Sequence, residues 1–174
     1  MDAKVIELYS SYNENDLKEI ESIEEYFHLN HFNNENVFNL GKIIVDEVKK
    51  YDCGVAIVII REEDELNVFR YISDDKKQKN IDYAMCKRNA VLKTGHSSVW
   101  MMIDYAIKGK ELNQLFSDPS IMPVAGAFPI YVDNKHTYTI AVSGLHDGKD
   151  FNLIIGAMER YLNKTLPKTN IKMM

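Results

Sequence analysis

Apolar positions along this chain switch between two periods, and the switches mark the elements. Leu17, Ile20, Ile23, Glu24 and Phe27 recur at spacings of three and four, which predicts an amphipathic helix over Asp16–Phe27. Val37, Leu40, Gly41, Ile44 and Val48 form the stripe of a second helix, capped by Asn33 or Asn34 and ended at Asp52–Gly54. Gly54–Ile60, GVAIVII, is short, β-branched and apolar on both faces, so it reads as a strand covered on both sides. The charged run Arg61–Glu65 forms a turn, and alternation through Leu66, Val68, Phe69 and Tyr71 gives the return strand Leu66–Ile72. A polar run, Ser73–Lys79, leads into a long helical region over Asn80–Lys108, followed by a third helical piece around Lys110–Phe116. Phe128–Val132 and His136–Ser143 make a second hairpin about Asp133-Asn134-Lys135, and a last helix runs from Asp147 or Gly148 to Leu162. Residues 1–10 read as loosely ordered, and the tail Lys164–Met174, with Pro167, as extended or frayed.

Two hairpins joined through helices do not give the alternation of a doubly wound parallel sheet; the order predicts an α+β fold, an antiparallel sheet covered by helices. The 174 residues are enough for one sizeable core, and 45% hydrophobic with 27% charged residues is ordinary for a soluble globular protein. The longest apolar run, Cys53–Ile60, is far short of the roughly 20 residues a membrane span needs. With no charged-then-apolar leader at the start, a cytoplasmic location is expected. Cys53 and Cys86 form no Cys-x-x-Cys pair and read as reduced, buried thiols. His28, His31, His136 and His146 show no ligand spacing among themselves or with the cysteines, so no metal site is expected.

Charge changes the picture. The net charge is −5, but residues 1–26 carry eight acidic side chains against Lys4 and Lys18, a balance of −6 that leaves the remainder at +1. That distribution gives no footprint for nucleic acid, and the acidic first helix reads as a solvated face. Tyr83–Ile103, by contrast, carries Lys87, Arg88, Lys93 and His96 and no carboxylate. A stripe through Ile81, Met85, Arg88, Leu92, Gly95, Val99, Met102 and Ala106 turns Arg88 inward, with His96 within a quarter turn of it. An inward guanidinium needs a partner, because an unpaired buried charge costs several kcal/mol. Either a distant carboxylate or a bound anion would serve, and the sequence leaves both open. Gly95-His96-Ser97-Ser98 is a place for the helix to bend or restart, with Ser97 or Ser98 as N-cap and free N–H groups that favour an anion. Pro119–Val132 holds no charge in 14 positions and has to be covered by protein, a partner subunit or a ligand.

Four motifs occur in order: Lys87-Arg88-Asn89, Gly95-His96-Ser97-Ser98, Gly126-x-Phe128-Pro129-Ile130 and Val142-Ser143-Gly144-Leu145. The set resembles the haem-degrading-domain proteins related to the HbpS and GlcG group, over roughly residues 30–162. The resemblance implies a profilin-like fold and homo-oligomers assembled through the uncharged segments. It divides the chain into an acidic helical extension (1–29), the HbpS/GlcG-like domain (30–163) and a tail (164–174). It also implies a pocket of Lys87, Arg88, Asn89, His96, Ser97, Ser98, Gly126, Phe128, Pro129, Ser143 and Gly144, with no catalytic residue assigned. The chain departs from the family pattern where Asp150 is followed by Phe151 instead of a histidine, and where Val124-Ala125-Gly126-Ala127 replaces a His-Gly-Gly type turn.

Three functions follow as expectations. In the first, Lys87 or Arg88 contacts the carboxylate or phosphate of a small anionic ligand, with Ser97, Ser98 and backbone N–H groups completing the cradle. In the second, haem is the cofactor, its propionates on Lys87 and Arg88 and its iron on His96 or a tyrosine. In the third, Arg88, His96 and the serines form a buried polar network that holds a homo-oligomer together without any ligand. Hydrolysis by Ser97 or Ser98 with His96 is disfavoured, because neighbours on one backbone rarely reach nucleophile-to-base geometry and no Gly-x-Ser-x-Gly elbow is present.

Overall fold

The computed structural model describes residues 2–174. Two helices open the chain, α1 (Ala3–Ser11) and α2 (Glu14–Glu24), followed by a 3₁₀ turn over Glu25–Phe27, the short strand β1 (His28–Leu29) and α3 (Asn34–Glu47). The first hairpin is β2 (Ala56–Arg61) and β3 (Leu66–Ile72). Helices α4 (Gln78–Thr94), α5 (Ser98–Ile107) and α6 (Leu112–Leu115) separate it from the second, β4 (Ala127–Val132) and β5 (Lys135–Ser143), and α7 (Lys149–Leu162) closes the fold. Asn33 caps α3 reciprocally: its Oδ1 accepts from the Asn36 N–H at 3.1 Å, and Asn36 Oδ1 accepts from the Asn33 N–H at 2.9 Å.

The sheet runs β1-β4-β5-β2-β3. Its three long pairings are antiparallel, as the two-hairpin pattern predicts, and β1 adds a short parallel edge through His28 opposite Tyr131 and Leu29 opposite Val132. Because β1 reaches only those two positions, β4 is an unpaired edge at Pro129, where a missing N–H breaks no ladder. Both faces of β2 are buried. Ala56, Val58 and Ile60 meet Ile81, Ala84 and Val91 of α4, with Ala127 and Ala141 supplying small side chains beneath the helix. Ile57 and Ile59 face the larger core, which gathers Phe128, Ile130, Ile140 and Val142 with residues of α2, α3, α5 and α7.

Several expectations change. The start of the chain is not loose over its described residues: Ala3–Ser11 is helical, and Tyr9 and Tyr12 are buried with their hydroxyls donating to the carbonyls of Lys110 (3.0 Å) and Lys172 (2.9 Å). The tail has no regular structure, yet it is docked: Leu166 and Met173 are buried, and the Met174 carbonyl accepts from the Ala125 N–H at 3.0 Å. The tail thereby covers part of the uncharged loop. The long helical region does restart where expected, with Ser97 as the N-cap position of α5, because Gly95 adopts φ +75° as the left-handed cap of α4 and Tyr131 donates its hydroxyl to the Gly95 carbonyl at 2.7 Å. The buried residues of α4 are Ile81, Ala84, Lys87, Arg88, Ala90 and Val91, whereas Leu92 is exposed. Small Ala84 and long-stemmed Lys87 set the phase, and a reading weighted to large apolar residues lands about one position away. The cysteines are free and half-buried. Among the described residues no helix is long and apolar enough to cross a membrane.

Residues 1–29 also feed the main core. Phe27 is fully buried and stacks on Phe128 with ring centroids 4.4 Å apart, so the acidic segment is anchored to β4 by an aromatic pair. Phe27→Ala is expected to cost about 3–5 kcal/mol in urea unfolding, whereas Phe38→Ala, at a site 54% exposed, should move the midpoint little. Equal small effects would show that the first 29 residues are not part of the cooperative core.

Candidate functional site

The Lys87 side chain is 4% exposed. Its Nζ donates to Asp150 Oδ2 at 2.6 Å and to the Val142 carbonyl at 2.9 Å. Asp150, at the start of α7, is buried as well, and its other oxygen accepts from the Leu145 N–H at 3.0 Å. Removing either partner of such a pair leaves an uncompensated buried charge. Gly126 makes the arrangement possible: at φ +125°, an added Cβ would stand 2.7 Å from the Val142 oxygen and 2.8 Å from Lys87 Nζ. Burial pushes the Lys87 ammonium below its ordinary pKa, and Asp150 opposes that shift.

Arg88 points elsewhere. Its Nε donates to Glu62 Oε1 at 3.0 Å, and a terminal nitrogen reaches Glu62 and, at 3.2 Å, Glu65. Of the two partners open to the guanidinium, the structure supplies the carboxylate, and hydrogen bonding to Glu62 raises its pKa. Lys87 thus ties α4 to the end of β5, and Arg88 ties it to the turn after β2.

The anion expected where the helix restarts is present, and it belongs to the chain. Glu24 of α2, 6% exposed, accepts from the Ser97 N–H at 2.7 Å and meets His96 Nδ1 at 2.7 Å. The His96 ring stacks on Trp100 at 4.1 Å, and Trp100 Nε1 donates to Glu21 at 3.0 Å. The acidic helix is therefore more than a solvated face: two of its carboxylates pair with the basic segment. Glu24 lies on the apolar stripe of the sequence pattern, which was the signal for its burial. Ser98 Oγ donates to the Val124 carbonyl and accepts from the Ala127 N–H, Asn89 donates to the Ser120 carbonyl at 2.9 Å, and Phe128 and Pro129 are interior to β4. Ser97 Oγ is buried without a hydrogen-bond partner among the described residues.

The eleven expected pocket residues do not form one pocket. A cleft of about 730 Å³ opens between the first turns of α4, the loop before β4 and the turn from β5 into α7. Lys87, Ser143 and Gly144 line it, with Gly126 directly beneath the ammonium; Arg88, Asn89, His96, Ser97, Ser98, Phe128 and Pro129 do not. Sequence reasoning missed Lys76, Lys77 and Lys79, which enter the cleft from the start of α4, together with Tyr83, His146 and Asp150. The available signal was the lysine run immediately ahead of a helix, which reads as a polar linker. Lys76 pairs with Asp75 at 3.3 Å, while Lys77 and Lys79 make no ion pair among the described residues. The cleft also carries an apolar wall of Met122, Val124, Leu145 and Met174, and an exposed His146 whose ring makes no hydrogen bond among the described residues.

Residues 32–159 match the family described as haem degrading protein HbpS-like. A UPF0303 protein of Rhizobium rhizogenes is 28% identical over 160 residues, covering 91% of this chain and 98% of its own. Among solved structures, the Ybr137w protein superposes with a TM-score of 0.76 at 23% identity, over 94% of this chain and 96% of its own. A structure of a PduOC:heme complex superposes with a TM-score of 0.64 at 14% identity, over 79% and 99%. These likenesses agree on the fold.

Glu24 holds the pKa of His96 above its ordinary value. A raised folded-state pKa gives stability that is complete below the unfolded value of about 6.5 and is lost as pH rises through the folded value. The docking of α2 on α5 should therefore weaken from mildly acidic to alkaline pH, read as a falling melting temperature followed by Trp100 fluorescence. His96→Gln should flatten this dependence, and parallel wild-type and variant profiles would show the pair to be uncoupled from docking.

Proposed function

The chain belongs to the haem degrading HbpS-like protein family, and from that premise we propose that it binds a small anionic molecule in the cleft at the start of α4. The observation that carries this reading is the pair Lys77 and Lys79, without a carboxylate partner among the described residues, in a concavity whose other lysines, Lys76 and Lys87, are matched by Asp75 and Asp150. Low-dielectric walls focus such a field, and ammonium groups without internal partners favour a carboxylate or phosphate. Lys77 and Lys79 supply the charge, Ser143 and the Gly144 turn supply polar contacts, and Lys87 sits at the floor. Arg88, His96 and Ser98 belong to the frame, their polar groups being engaged by Glu62, Glu24 and Val124.

Haem is the ligand that the family description favours, and the cleft's donor set fits it. Lysines would take the propionates, the Met122, Val124 and Leu145 wall would face the macrocycle, and His146 or Tyr83 is the side chain available to iron. His96, the imidazole expected for that role, is outside the cleft and engaged with Glu24 and Trp100. When bound, haem would supply a redox-active iron, the protein contributing orientation and charge.

The reading includes self-association. Strand β3 forms an outer edge of the sheet and exposes Leu66 (43%) and Ile72 (37%) beside its unpaired backbone, a template for a second copy of the chain. Sedimentation should report an oligomer that Leu66→Lys shifts toward monomer; a wild-type monomer at all concentrations removes this part of the proposal.

Haemin titration followed by absorbance tests the ligand. Reversing Lys77 and Lys79 to Glu should weaken binding at least roughly tenfold, the effect of about 1.4 kcal/mol over two exposed charges. His146→Ala should shift the Soret band and His96→Ala should not. With pyrophosphate as a second probe, the melting temperature should rise in wild type and not in the double reversal. If neither probe responds to the cleft lysines, the anion-binding reading fails.

A further inference from the structure

Lys87 is the one cleft lysine sealed from bulk water, and its surroundings go beyond what an ion pair requires. Its Nζ spends hydrogen bonds on Asp150 and the Val142 carbonyl, leaving one N–H of the ammonium; the Gly126 side is closed, where even a Cβ would stand 2.8 Å from the nitrogen, and Lys87 lines the cleft. Ser143 lines the same cleft, is 5% exposed, and its hydroxyl makes no hydrogen bond among the described residues. An amine on the cleft wall, a fixed carboxylate against it and an unused hydroxyl lining the same cleft together make a site for addition to a carbonyl group.

We propose that Lys87 forms an imine with an aldehyde or 2-oxo acid whose phosphate or carboxylate is held by Lys77 and Lys79. This rests on the anion-binding reading of the cleft and names the substrate class for it. Asp150 Oδ2 takes a proton from the Lys87 ammonium. The neutral amine adds to the carbonyl carbon, forming a C–N bond while the carbonyl oxygen becomes a hydroxyl by taking the second nitrogen proton. Ser143 is placed to hydrogen-bond that oxygen. The carbinolamine then loses its hydroxyl, with the proton returned by Asp150, as water, leaving a protonated C=N bond and an Asp150 carboxylate. The cation beside Asp150 is present before and after, so the buried charge stays paired throughout. Burial lowers the pKa of Lys87 and makes the neutral amine accessible. Lys77 and Lys79 are exposed and line the same cleft.

Pyridoxal 5′-phosphate, at one equivalent per chain, is the probe, followed by borohydride reduction and peptide mass mapping of the wild-type protein. The expected result is one reduced adduct per chain on Lys87, suppressed by excess inorganic phosphate. Pyridoxine 5′-phosphate, which lacks the carbonyl, should raise the melting temperature and leave no adduct. Asp150→Asn, with folding checked by circular dichroism, should slow imine formation at least tenfold while leaving the pyridoxine phosphate shift in place. Mapping needs no variant, so the modified lysine is identified even where Lys87→Arg fails to fold. Adducts spread over Lys76, Lys77 and Lys79 with none on Lys87 would overturn the imine while leaving the anion cleft intact. If neither vitamin phosphate raises the melting temperature nor forms an adduct, both readings fall together.

Discussion

An ammonium group buried on α4 must meet a carboxylate, and much of the molecule is arranged around where that carboxylate comes from. Lys87 approaches from the helix on one face of the sheet, and Asp150 from the helix that packs on the other. They meet at the end of β5, where the chain leaves the sheet. Desolvating either charge alone costs several kcal/mol, so the pair is tolerable only when the turn between β5 and α7 is held to a narrow geometry. The Leu145 N–H fixes Asp150, Gly126 clears the space beside the ammonium, and Gly144, at φ +150°, lets the turn lie against the backbone of Gly54 and Val55. The cleft is the outer side of this junction.

The same solution appears twice more. Arg88 reaches Glu62, and His96 reaches Glu24, so three cations of a segment without carboxylates are matched by acids from three remote parts of the chain. The acidic first helices and the basic central helices are halves of one balance, and their opposite charges dock α2 against the start of α5. Net charge by segment hides this, because it counts solvated and buried carboxylates alike. Glu24 and its neighbour Glu25 are equal in composition, but one is buried and the other exposed.

Periodicity made the fold legible because it reports which positions leave water: the two hairpins and α7 follow from it to within a residue or two, while α2 and α3 end earlier than expected and pass into 3₁₀ turns. It failed where burial is decided by something other than a large apolar side chain. The phase of α4 is set by Ala84 and Lys87; the break at Gly95 was readable, but not the tyrosine hydroxyl that holds it from a distant strand. At the site, the inward charges at Arg88 and His96 were readable, but their partners lie 26 and 72 residues away in the chain, beyond any local pattern. Lys76, Lys77 and Lys79 looked like a solvated linker because only the folded chain brings the turns at 122–125 and 143–148 opposite them.

The cations around α4 are of two kinds. Arg88 and His96, inside the motifs that carry the family resemblance, have their hydrogen-bonding capacity absorbed by carboxylates of the same chain, and their energetic role is to fix elements against one another. Lys77 and Lys79, outside those motifs, have no such partner among the described residues and face a concavity. Rim lysines contribute little to stability, so the charge at the cleft's edge can change without disturbing the core. Lys87 stands between the two kinds: it is inside a motif, paired like the frame residues, and exposed only to the cleft. That position couples the frame to the cleft, since whatever alters the charge on Lys87 acts on the Asp150 contact that joins α4 to α7.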